Sequence, residues 1–193
     1  MKIKGITNIE FFDKGSRGFI YTGKFKDKKV AIKVRNPKSD AMNRINNEIN
    51  FLKILNEFNI GPKLIMSFKN KMVYEFQEGA YMIKWWKKAS LKQKNKVLKN
   101  LMDQCFTMDL LGINKEEMLR PFKNVIIKKY NVPILIDFER CHYTEKVKNV
   151  SQLVQYVFKE KMVGKSIIPL VQKYKKDVCE KNYQKIIKKL FVN

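Results

Sequence analysis

The chain has 193 residues, enough to bury one good core and too few for two ordinary domains. Hydrophobic residues make up 45% of it and recur in clear periods, which excludes wholesale disorder, and its three cysteines, Cys105, Cys141 and Cys179, show no CxxC spacing, which argues against a zinc knuckle or a disulfide framework. Lys and Arg number 41 against 18 Asp and Glu, a net charge of +23 spread over the whole length. Such a field attracts polyanions. It is read here as lysines solvating the surface of a Lys-, Ile- and Asn-rich chain, with weak binding of RNA expected. The first residues lack the apolar core of a signal peptide, and no run approaches the roughly 20 apolar residues that span a bilayer, so no membrane partner and a cytoplasmic, reducing location are expected.

In chain order, residues 13–18 read DKGSRG and carry Gly15 and Gly18. Residues 20–25 and 29–34 then run apolar or alternate around the polar turn at 26–28, a hairpin pattern. Lys33 lies between Ile32 and Val34, so alternation sends its side chain to the opposite face. Residues 39–58 have helical spacing at Met42, Ile45, Ile49, Leu52 and Leu55, with Ser39 or Asp40 as the cap. Glu48 and Glu57 are the carboxylates of that helix. After NIGPKLI the chain returns as a strand, and KMVYEFQEG follows, where Gly79 is read as a turn residue. Trp85 and Trp86 are read as packing more than as base-stacking rings. Ser90 caps a long amphipathic helix. A loop, LGINKEEMLRPFKN, leads to the strand NVIIKK, a turn at 131–133 and ILIDFER. His142, the only histidine, is read as a loop residue, and helices are expected at 147–163, 167–179 and 183–191.

Taken in this order, the pieces resemble the phosphate site of protein kinases: a glycine-bearing turn, a strand lysine within VAIK, a helical glutamate, then an asparagine and an aspartate around a second hairpin. Over residues 10–160 the chain is similar in size and style to the small atypical RIO and Bud32 kinases of archaea. That resemblance implies an α+β, two-lobed protein kinase-like fold in one domain, 1–193, with a β-rich N-lobe (1–79) and a reduced, mainly helical C-lobe (80–193).

The resemblance also implies ATP and Mg²⁺ as cofactors and assigns roles. Gly15 and Gly18 stand for the second and third glycines of GxGxxGxV, with Asp13 in place of the first, and Ile20 stands for the Val that covers the adenine. Lys33 would grip the α- and β-phosphates, held by Glu48, with Glu57 the competing choice. Tyr74 stands as gatekeeper, and Glu75 and Gln77 would offer a backbone carbonyl and amide to the adenine. Arg120, Pro121 and Asn124 match the Lys, Pro and Asn of HRDLKPEN with one extra residue between. The catalytic aspartate of that pattern is missing. Glu117 is the nearest carboxylate to act as the base, Glu116 the second choice, and Arg120 would neutralise the γ-phosphate. Asn124 and Asp137 would hold Mg²⁺, and Glu139 stands where DFG has its glycine. The implied activity is an atypical Ser/Thr protein kinase with a protein or ribonucleoprotein substrate. The alternatives are a nucleotide- or RNA-binding protein without catalysis, an ATPase assisting tRNA modification or ribosome assembly, and a small-molecule kinase.

Overall fold

Alternation of apolar and polar residues over the first third of the chain builds an antiparallel sheet, and helical periods take over after it. The computed structural model describes residues 1–14, 18–36 and 43–191; Gly15, Ser39, Asp40 and Met42 lie outside them. The protein is mixed α+β. By compactness it divides into two units, Met1–Glu78 with Ile136–Arg140, and Gly79–Leu135 with Cys141–Asn193.

In the first unit, β1 (Ile6–Lys14), β2 (Gly18–Phe25), β3 (Lys28–Arg35), β4 (Leu64–Phe68) and β5 (Lys71–Glu75) form a sheet in the order β1-β2-β3-β5-β4. The β2–β3 loop is the two residues Lys26 and Asp27, with φ 47° and 60°, the left-handed pair whose twist matches that of the flanking strands. Pairing of Ile20 with Lys33, Tyr21 with Ile32 and Thr22 with Ala31 sets which side chains share a face. Val30, Ile32 and Val73 pack with Ile6 on one face, all buried. Lys33 and Ala31 point to the other. The sequence pattern does not signal β1, because its pairing slips between Thr7 and Glu10 and again between Phe11 and Asp13, breaking the period of two. Helix α1 (Arg44–Asn56), within the expected 39–58, buries Ile45, Glu48, Ile49, Phe51, Leu52 and Leu55.

The second unit opens on Gly79, where a Cβ would run into the carbonyl oxygen of Ile127. Close backbone approach, not turning freedom, requires glycine there. Strands β6 (Ala80–Tyr81), β8 (Val125–Lys128) and β9 (Val132–Leu135) form one sheet, and β7 (Ile113–Asn114) pairs with β10 (His142–Tyr143) in another. Helix α2 (Met82–Trp86) precedes α3 (Leu91–Leu110). Ser90 caps α3 as expected, in a full capping box with Gln93. Trp86 is buried: its indole N–H donates to Glu160 at 3.0 Å, and its ring meets Phe122 and Tyr156 near edge-on. Packing is therefore the role of this ring.

Three C-terminal helices follow, α4 (Asn149–Lys159), α5 (Ile168–Lys176) and α6 (Glu180–Phe191). The start of α4 is held from α3, where buried Asp109 accepts the backbone N–H groups of Asn149 and Val150, the Asn149 amide and the Tyr174 hydroxyl. A carboxylate at a helix N-terminus also meets the positive end of its dipole. Burial pushes the Asp109 carboxyl up, and these hydrogen bonds pull it part of the way back. No helix among the described residues is long and apolar enough to cross a membrane.

Burial lifts the phenols of Tyr156, Tyr174 and Tyr183 well above the ordinary tyrosine value, helped by the carboxylates of Glu160, Asp109 and Asp103 respectively. Groups whose folded-state pKa is raised stabilise the fold fully below their unfolded value, about 10 for tyrosine, and that stability is lost as pH rises through the folded value. On alkaline titration these three of the eight tyrosines should stay neutral past the usual range and ionise together with loss of helical signal. Tyrosinate absorbance against circular dichroism checks this; smooth ionisation of all eight near pH 10 would contradict it.

Candidate functional site

Lys33 is the centre of the first unit's polar cluster. Flanked by buried Ile32 and half-buried Val34, its aliphatic stem crosses the sheet face, and its ammonium reaches Glu48 Oε2 at 2.6 Å and Asp137 Oδ1 at 3.2 Å. Burial by itself would lower the lysine's pKa. The Glu48 carboxylate, then that of Asp137, outweigh it, so the pKa is raised and the ammonium stays charged. Burial pushes the Glu48 carboxyl up, Lys33 opposes that, and the nearby Asp137 charge adds to it.

Each partner is delivered by a different part of the chain. Glu48 lies on α1, four residues into the helix, and its other oxygen accepts the backbone N–H of Phe138 at 3.3 Å. The carbonyl of Glu139 accepts the Asn47 amide at 3.0 Å and the Arg44 guanidinium at 3.5 Å. Helix α1 therefore clamps the segment Ile136–Arg140 by the backbone of the two residues that follow Asp137, and Phe138 is fully buried. Asp137 does not continue β9 but takes a left-handed φ of 64°, a conformation Asp tolerates better than most residues. Of the two expected carboxylates of α1, Glu48 is the one brought to Lys33. Glu57 is exposed at the helix C-terminus.

Around Lys33, β2 supplies Ile20 directly across the sheet and Gly18 at its start. A Cβ on Gly18 would meet the Val34 carbonyl at 2.9 Å and the Lys33 stem at 3.7 Å, so any side chain there would lie over the lysine. Gly15 lies outside the described residues. Tyr74 is half-buried on β5. The Glu75 N–H donates to the Lys63 carbonyl, and the Glu75 carbonyl accepts the Gln77 side-chain amide at 2.8 Å. The sequence does not signal that internal bond, which uses one of the carbonyl's two lone pairs.

The second unit holds the other residues the sequence singled out. Glu117 is brought to Asn124, whose amide donates to Glu117 Oε2 at 2.7 Å, and to Lys115, whose ammonium lies 3.4 Å from the same oxygen. Lys115 is fully buried and is the functional candidate that sequence reasoning missed; in a lysine-rich chain no pattern distinguishes it. Its backbone N–H donates to Asn149, tying the loop to the start of α4. Glu116 takes a φ of 72° and turns instead toward Asn114 and His142, 2.8 Å and 3.5 Å away. Arg120 is exposed, and its backbone N–H donates to the Glu117 carbonyl. Among the described residues no group of three or more His, Cys, Asp or Glu could hold a metal by itself. Neither a family model nor a curated protein matches this chain.

Proposed function

We propose that the protein is an ATP- and Mg²⁺-dependent phosphotransferase, an atypical Ser/Thr protein kinase built on a two-lobed kinase-like fold. One observation carries the reading: a largely buried lysine on a strand, held charged between a helical glutamate and an aspartate on a clamped, left-handed turn. A surface ion pair would need no such construction.

The donors suit the cofactor. Lys33 spends two of its three N–H groups on Glu48 and Asp137, and phosphate oxygens suit the remaining one. Gly18 itself places no side chain over the lysine. Mg²⁺ is usually held by one or two protein oxygens plus nucleotide phosphates. Asp137, its side chain 38% exposed, offers one hard oxygen. Asn124 donates its NH₂ to Glu117, which leaves its amide oxygen for a cation. When bound, MgATP supplies the transferable phosphoryl group and the charge that neutralises it. Glu117, oriented by Asn124 and Lys115, is the base that accepts the acceptor hydroxyl's proton, and exposed Arg120 is the cation for the transferred group's charge.

Thermal unfolding with and without MgATP, beside release of labelled phosphate, tests the reading. A ligand that binds only the folded state raises apparent stability, by about 2.7 kcal/mol at a hundredfold excess over Kd. Metal-dependent stabilisation with turnover is expected. Stabilisation without turnover would make this a nucleotide-binding protein, and no stabilisation would remove the nucleotide from the account.

A further inference from the structure

The second unit carries a groove that the phosphotransferase reading does not use. It lies along α4 and α5, has a volume of about 500 Å³, and takes in Leu119 from the loop that carries Glu117. Its apolar walls come from Leu119, Phe158, Ile168 and Val171, and Ile168 is 42% exposed although it is a large aliphatic residue. Lys148 and Lys175 are its charged residues, and no carboxylate lines it. Gln152 also lines it, and that side chain's oxygen is buried with no hydrogen-bond donor among the described residues.

We infer that this groove docks an acidic amphipathic helix of a partner protein, its apolar face on Leu119, Phe158, Ile168 and Val171 and its carboxylates on Lys148 and Lys175. The size is that of a ligand-binding cleft, and a trough between two helices is the shape that receives a third. Charge selects the occupant. The chain carries a net +23, so a second copy would bring lysines to lysines. The walls hold a single aromatic ring, Phe158, which is a poor platform for stacked bases. An acidic helix satisfies both the apolar walls and the cationic rim.

Leu119 belongs to the same loop as Glu117, two residues on; the docking itself does not rest on the phosphotransferase reading.

The experiment measures fluorescence anisotropy, without nucleotide, of a labelled helical peptide of Leu, Ala and Glu, roughly 15 residues long, and of its counterpart with Lys for every Glu. Proteins are the wild type, Ile168→Asp and Lys175→Glu, both at exposed positions. The acidic peptide is expected to bind, about tenfold more weakly to Ile168→Asp and about threefold more weakly to Lys175→Glu. The lysine peptide is expected not to bind. Equal binding by all three proteins, equal binding of both peptides, or no binding to the wild type would each overturn the inference. So would an RNA oligonucleotide that displaces the acidic peptide and is itself weakened by Ile168→Asp, since the groove would then take polyanions in general. The MgATP thermal shift, run on the same samples, reports separately on the phosphotransferase reading.

Discussion

Replacing Lys33 by Met is expected to destabilise the protein by about 3–5 kcal/mol at neutral pH, because it leaves a buried carboxylate without its cation. Glu48 is 3% exposed, and its other oxygen accepts the Phe138 N–H. In the wild type Lys33 has a raised folded-state pKa, so the lysine's own contribution is fully present below its ordinary value of about 10.4 and is flat through neutrality. In the variant the charge that opposed the upward shift of Glu48 is gone, and its carboxyl moves further up. A carboxyl raised in the folded state stabilises below its unfolded value, about 4.3, and loses that stability as pH rises through the folded value. The gap between variant and wild type should therefore widen as pH rises above about 4.3. Urea unfolding across that range measures it, and a gap that narrows with pH contradicts the burial argument. Adding Glu48→Gln to Lys33→Met should recover part of the loss, since an amide is neutral at every pH.

Asp137→Asn is expected to lower metal-dependent phosphate release at least about a hundredfold while leaving the fold in place. The substitution keeps the shape, Lys33 retains Glu48 at 2.6 Å, and α1 still clamps the segment through the backbone of Phe138 and Glu139. What goes is the anionic oxygen that the proposed reading gives to the metal, so stabilisation by MgATP should fall more than stabilisation by ATP with chelator. Glu117→Gln separates the two halves of the reading. It should reduce turnover about 10²–10⁴-fold and leave the MgATP thermal shift unchanged, because in the proposed reading the carboxylate serves the acceptor and not the nucleotide. Full turnover in Asp137→Asn would remove the proposed chemistry. Full turnover in Glu117→Gln would leave the nucleotide site standing and send the search for a base elsewhere.

How legible these residues were in the sequence follows from how far apart their causes lie. Lys33 is readable because strand alternation is local, and Ser90 because a capping box spans four consecutive positions. The β2–β3 hairpin is readable from apolar runs on either side of a polar turn. Glu48 is less so: helical spacing puts both Glu48 and Glu57 on α1, and only packing against β3 separates them. Lys115 and the pairing of Glu116 with His142 are not readable at all, since each depends on segments joined by the distant β7–β10 pairing or by Asn149. The same is true of the Gln77 amide on the Glu75 carbonyl, which depends on a side-chain rotamer.

By itself the sequence determined the mixed α+β composition, the hairpin, most helices within a few residues, and the face on which Lys33 stands, because these follow from periods of two and 3.6 within a few neighbours. Only the tertiary structure decided that Asp137 leaves its strand for a left-handed turn, that α1 clamps that turn by backbone hydrogen bonds, and that Glu117 rather than Glu116 meets Asn124. Those outcomes are set by side-chain and backbone hydrogen bonds, most of them between residues far apart in the chain, where burial strengthens each pair and no local period records it.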